Sequence, residues 1–255
     1  MSGINLDAMR AKYNKLTTKG GGADGFWKPQ EGSQTIRIVA PTDGDPFRDY
    51  LFHYRLGADQ KTTLISPRTF NLKDPIGDFG NKLWNEDTEE SRAMARNFFP
   101  KMRVFAPVVV RGEEEKGVRL WGFSKTTYEA LLKIVLDPDY GDIADPNTGT
   151  DLRLDYGKKA GQMYPTTELR PARKASPLGT DEQIENFLAN VPSFDEQFPA
   201  TTTEQAQTLL DETLSGGADA DTSDGTSRYG GAGAAASDSA TKVTDIETAF
   251  DDLLA

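Results

Sequence analysis

The chain has 255 residues, no cysteine, a single histidine and a net charge of −11 at pH 7. Without thiols there is no disulfide and no thiolate metal site, and one imidazole leaves little room for a histidine-based zinc centre or a Ser-His-Asp triad. No run of about 18 apolar residues offers a membrane-spanning helix, and MSGINLDAMR lacks an apolar signal core, so a protein neither embedded nor exported is expected.

The charge is unevenly placed. Residues 201–255 hold 11 acidic and 2 basic residues, a net of −9; the rest of the chain therefore holds 29 acidic and 27 basic residues, a net of −2. The acidity belongs to the C-terminal part, and the remainder is close to neutral.

In chain order, residues 5–18 carry Leu6, Met9, Tyr13 and Leu16 at helical spacing, with Arg10, Lys12, Lys15 and Lys19 making the segment basic. Such a helix either packs on its own domain or serves as an arm. GGGADG (20–25) then reads as a flexible joint; it matches G-x-G-x-x-G formally, but no strand precedes it and no helix follows, so a dinucleotide site is not expected.

From Phe26 to about Arg173 the pattern is mainly strand-like. QTIRIVA (34–40) sets Ile36, Ile38 and Ala40 against Thr35, Arg37 and Val39, and YLFHYRL (50–56) alternates apolar residues with His53 and Arg55. MRVFAPVVV (102–110) and VRLWGF (118–123) are further β-rich runs, and 151–156 and 162–170 are weaker ones. Short strands of this kind suggest a barrel of the OB type. Three helices are expected around it: one capped by Thr88 and running to Phe98, one capped by Ser124 and ended by Asp137-Pro138, and one opened by the capping box Thr180-Asp181-Glu182-Gln183. A short helix over 203–214 leads into a Gly/Ala/Ser/Asp-rich linker that is expected to be disordered. Beyond it, Thr244 to Glu247 forms another capping box, and Ile246, Ala249, Phe250 and Leu253 share a face, as in a docking peptide.

The basic residues of the core are interleaved with aromatics, which suits single-stranded nucleic acid: bases stack on rings while Lys and Arg follow the phosphates. The candidates are Lys101, Arg103 and Phe105 on one strand and Arg119, Trp121 and Phe123 on the next. Tyr54, Arg55 and Arg68 lie in another stretch, with Trp27 and Arg37 upstream of it. Lys158, Lys159, Tyr164, Arg170, Arg173 and Lys174 make up the most basic window. Roughly half of these aromatics belong in a core. Catalysis is not expected: Asp137, Asp139, Asp142 and Asp145 miss the calcium-loop spacing, no Walker sequence occurs, and Glu113, Glu114 and Glu115 read as a solvated turn.

The order of three stretches, FWKPQEGSQTIRIVAP, LISPRTFNLKDPIGDFGNKLW and KMRVFAPVVVRGEEEKGVRLWGFSKTTYEALLKIV, with the DDLL-type terminus, resembles the gene-32-type helix-destabilising proteins of T-even and related tailed phages. The resemblance implies a mainly β, α+β architecture. A basic N-terminal arm (1–22) precedes an OB-fold core (23–200) with an insertion at about 58–100, and an acidic disordered tail (201–255) ends in a docking peptide (244–255). It also implies cooperative binding of single-stranded DNA in replication, recombination and repair, in the host cytoplasm during phage infection, with no cofactor. Arg10, Lys12, Lys15, Thr17, Thr18 and Lys19 would carry self-association along the strand. Asp245, Glu247, Phe250, Asp251, Asp252, Leu253 and Leu254 would recruit replication and recombination proteins, while the tail competes with DNA.

One departure is clear. Where the family has a zinc-binding Cys-Pro-x-Cys element this chain has Asp74-Pro75-Ile76-Gly77, so a zinc-free insertion is expected, held by Phe70, Leu72, Ile76, Phe79, Leu83 and Trp84 or else mobile. Two rival readings stand beside this one: a protein-interaction scaffold built on an OB-like barrel, and a nucleic-acid-processing enzyme.

Overall fold

The computed structural model describes residues 25–41, 44–159 and 161–216. The N-terminal arm with its six candidate self-association residues and the docking segment 244–255 lie outside the described residues. Eight strands and six helices follow in order: β1 (Phe26–Trp27), β2 (Gly32–Ile38), β3 (Arg48–Leu56), β4 (Thr62–Ile65), α1 (Pro75–Asn85), α2 (Glu89–Phe98), β5 (Lys101–Val110), β6 (Arg119–Ser124), α3 (Lys125–Val135), β7 (Leu152–Gly157), β8 (Thr166–Pro171), α4 (Asp181–Ala189), α5 (Phe194–Gln197) and α6 (Thr203–Gly216).

The caps read in the sequence are formed. Thr88 and Ser91 close a capping box on α2, Ser124 accepts from the Thr127 amide at the start of α3, and Thr180 and Gln183 close a second box on α4. Each side chain satisfies an amide that the first helical turn leaves without a partner.

All eight strands join one sheet in the order β1-β6-β5-β2-β7-β8, with β3 and β4 branching from β5. Strand β5 organises it. One edge pairs with β3 (Lys101↔Phe52 to Phe105↔Arg48) and then with β2 (Val108↔Ile38 to Val110↔Ile36), while the other edge carries β6. Because β5 divides one edge between two partners, the sheet forks there. The described pairing does not close it into a barrel, and the architecture is a mixed α+β body around an open eight-stranded sheet.

Val104 to Val110 are buried without interruption, as expected of a strand covered on both faces. On one face Val104, Ala106 and Val108 pack with Ile36, Ile38, Trp121, Phe123 and Leu131 under α3. On the other, Phe105 meets Tyr50, Phe52, Leu120 and Phe198, while Val109 meets Val39, Leu178, Ile184 and Phe187. Double coverage buries both sides of the alternation along QTIRIVA: Arg37 and Val39 are 0% and 1% exposed, so Arg37, expected on a DNA-binding surface, is enclosed.

Between β3 and β5 the chain inserts β4, a 3-10 turn (Pro67–Phe70), α1 and α2. Ile76 is its fully buried anchor, packing with Leu56, Phe98, Ala206 and Leu210 and with half-buried Phe79 and Leu83. Leu72 and Trp84, expected in the same set, are 45% and 40% exposed. A buried polar knot supplies the rest. Asp74 accepts from Ser66 Oγ at 2.7 Å, from His53 Nε2 at 3.0 Å and, as N-cap of α1, from the Gly77 amide at 3.1 Å. Glycine is required at 77 because a Cβ there would stand 2.8 Å from Asp74 Oδ2.

Ala206 and Leu210 belong to α6, and Thr201 is buried too. The tail boundary expected at residue 201 therefore falls inside the packed body, which extends through 216.

Candidate functional site

The insertion and the sheet leave a cleft of about 530 Å³ between them. Its walls come from the end of α2, the start of β5, the end of β6, the first turn of α3 and the β7–β8 hairpin. Four cations line it: Arg55, Arg96, Lys101 and Arg103. Six rings line it as well: Phe99, Tyr156 and Tyr164 are accessible, whereas Tyr54, Trp121 and Phe123 form its floor as buried core residues. No carboxylate does.

Local structure explains how these side chains reach one place. Antiparallel pairing sets β3 against the start of β5 (Phe52↔Lys101, Tyr50↔Arg103), which brings Tyr54 and Arg55 beside Lys101 and Arg103. Between His53 and Leu56 the register of β3 against β4 shifts, and Arg55 takes a left-handed backbone (φ 58°). Such bulges re-aim a side chain, and a non-glycine residue with positive φ is uncommon outside constrained sites. Gly122 also lines the cleft; a Cβ there would lie 2.6 Å from the Phe105 ring, so glycine lets β6 rest directly on the core. Ser124, Thr126 and Thr127 present the N-terminal end of α3, whose amides and dipole favour negative charge.

Electrostatics sharpen the picture. Among the described residues none of the four cleft cations is paired with a carboxylate, whereas Lys159 pairs with Glu168, Arg92 with Asp87 and Lys116 with Glu113. Lys101 Nζ sits 5.9 Å above the Tyr54 ring. That ring is 8% exposed, and burial pushes the pKa of its hydroxyl up against the opposing charge and hydrogen bonding of Arg103. Tyr164 is 60% exposed, and Phe99 and Tyr156 are half-buried.

Of the residues named from the sequence, Tyr54, Arg55, Lys101, Arg103, Trp121 and Tyr164 meet in this cleft. Others do not. Trp27 is a core residue edge-on to Trp121 at 6.1 Å, and Phe105 is 1% exposed beneath the sheet. Arg37 is a structural clamp: Nε donates to Asp151 Oδ1 at 2.8 Å and Nη2 to the Ser176 carbonyl at 2.6 Å. Arg111 holds the same carboxylate and the Leu178 carbonyl, tying segment 176–178 to the sheet. Burial lowers the pKa of Arg37, Asp151 opposing it. Arg119 is also buried, 2.6 Å from Glu113. Arg68 lies exposed on the insertion, 3.9 Å from Asp78. Lys158 and Lys159 sit in the β7–β8 connection, and Arg170, Arg173 and Lys174 line a separate depression.

Arg96, Phe99 and Tyr156 were not legible as site residues. Arg96 shares the polar face of α2 with Arg92, one turn earlier, and nothing local distinguishes the two.

Chemically the cleft offers four cations without a carboxylate partner among the described residues, accessible rings at Phe99, Tyr156 and Tyr164, and no lining carboxylate, a combination that attracts anions and accepts planar groups. No protein-family model and no curated protein sequence matches the chain.

Proposed function

We propose that the chain is a single-stranded DNA-binding protein and that the strand lies in the cleft between insertion and sheet. The observation that carries this is the lining itself: four cations without a carboxylate partner among the described residues, three accessible rings (Phe99, Tyr156 and Tyr164) and no carboxylate. Phosphates lie close to Arg55, Arg96, Lys101 and Arg103, while unpaired bases stack on the accessible rings, each stack contributing about 1–3 kcal/mol. A duplex keeps its base faces stacked inside and cannot offer them to rings in a cleft, so single strands are selected. The similarity in motif order to gene-32-type proteins supports an OB-related ancestry for the sheet and a role in phage replication, recombination and repair. Self-association and recruitment of other proteins would then belong to the segments on either side of the described body.

The test is fluorescence anisotropy of labelled oligo-dT with the full chain, at 50 mM and 200 mM salt, against a duplex of equal length. Four phosphate contacts give a log–log salt slope of about −2.8, which weakens binding about 50-fold over that range. Salt-insensitive binding, or equal affinity for the duplex, overturns the proposal.

A further inference from the structure

A second cationic site lies outside the cleft. Arg153, Arg170, Arg173 and Lys174 line a depression of about 610 Å³ with Pro171 and Ala172. Arg153 and Arg170 are direct cross-strand partners on β7 and β8. Like charges in that position destabilise a sheet. Arg170 is partly compensated, 3.5 Å from Asp155 and from Glu168, but among the described residues Arg153, Arg173 and Lys174 have no carboxylate partner. All four side chains are exposed, so the charge stands in solvent without burial to explain it.

Two features say what occupies it. The lining has no aromatic ring, so the site takes charge and does not stack bases. In addition, β8 pairs only with β7 among the described strands, and this edge strand connects the two sites: Thr166 and Thr167 line the cleft, and Arg170 and Pro171 line the depression. Two residues of strand, Glu168 and Leu169, separate Thr167 from Arg170, a rise of about 10 Å.

We propose that Arg153, Arg170, Arg173 and Lys174 form a second phosphate-binding subsite, which takes the sugar–phosphate backbone of a single strand as it leaves the cleft along the β8 edge. The subsite rests on the single-strand reading of the cleft. It lengthens the footprint and adds salt-dependent affinity without reading sequence.

The experiment compares the full wild-type chain with the triple variant R153Q/R173Q/K174Q, which leaves Arg170 to its carboxylates. Both are titrated with oligo-dT of about 5 and about 12 nucleotides, spanning the range that single OB folds cover. The wild type is expected to bind the longer oligonucleotide at least about tenfold more tightly. The variant is expected to lose that gain, with a salt slope shallower by about 2, and to bind the short one as wild type does. A variant that binds the long oligonucleotide normally, or loses affinity equally for both lengths, overturns the subsite while leaving the cleft standing. Wild-type chain that binds neither length overturns the cleft reading itself. If the substitutions spare both oligonucleotides but abolish binding of a synthetic peptide of residues 217–255, the depression is an acidic-peptide site and the proposal is wrong.

Discussion

Replacing Asp74 by asparagine keeps the side chain's shape and removes its charge. In the folded chain Asp74 is 2% exposed, and burial alone would raise its pKa. The hydrogen bond and charge of His53, the Ser66 hydroxyl and the Gly77 amide outweigh that and hold the carboxyl at about 2, against an ordinary 3.8. Holding the carboxyl that far below its ordinary value corresponds to about 2 kcal/mol. Because the folded value is the lower one, this stabilisation is fully present above the unfolded pKa and is lost as pH falls through the folded one. Urea unfolding followed by tryptophan fluorescence should show Asp74→Asn less stable than wild type by about 2 kcal/mol at pH 7. The gap should hold down to pH of about 5 and close between about 4 and 2. A gap of the same size at every pH, or none at pH 7, would show that the knot owes nothing to the charge. His53 lies two residues before Arg55, so the variant's oligonucleotide affinity reports whether the knot also sets the β3 bulge.

Further substitutions separate structure from binding. Arg37→Met should cost about 2 kcal/mol in urea, because it strips the Ser176 carbonyl of its donor and half-buried Asp151 of one of its two arginines, yet leave oligo-dT affinity of the folded variant unchanged. Lys101→Gln should do the reverse, leaving stability within about 0.5 kcal/mol while making the salt slope shallower by about 0.7. Gly122→Ala forces a methyl group onto the Phe105 ring and should cost about 1–3 kcal/mol. A chain ending at residue 216 should keep its Tm. With 8 acidic and 2 basic residues removed from 217–255, it should also bind oligo-dT more tightly at low salt. A chain ending at 200 loses Ala206 and Leu210 from the core, and its Tm should fall by more than about 5 °C.

What the sequence made legible was whatever is decided locally. Thr88, Ser124 and Thr180 announced their helices because a cap needs only the next three residues. Val108, Val109 and Val110 announced a strand by their branching. Decisions made at a distance were hidden. Alternation along QTIRIVA assumes one wet face, but α3 covers one side of the sheet and the segments around α4 and α5 the other, so Arg37 became a clamp and not a ligand. Asp74-Pro75 is a good helix start, an acidic N-cap before a proline at the first helical position, but the residues that complete its meaning, His53 and Ser66, come from β3 and the turn after β4. The cleft shows the same division. Lys101 and Arg103 could be picked out beside their aromatics, whereas Arg96 and Tyr156 enter only when the insertion and the last hairpin fold over the sheet.

Ultraviolet crosslinking of photoreactive oligo-dT to the full chain, with the attached peptides mapped by mass spectrometry, probes the cleft most directly. Crosslinks should concentrate on the segments carrying the accessible rings Phe99, Tyr156 and Tyr164, and fade as salt is raised. Crosslinks confined to other surfaces, or none under conditions where the oligonucleotide is bound, would show that the strand does not lie there.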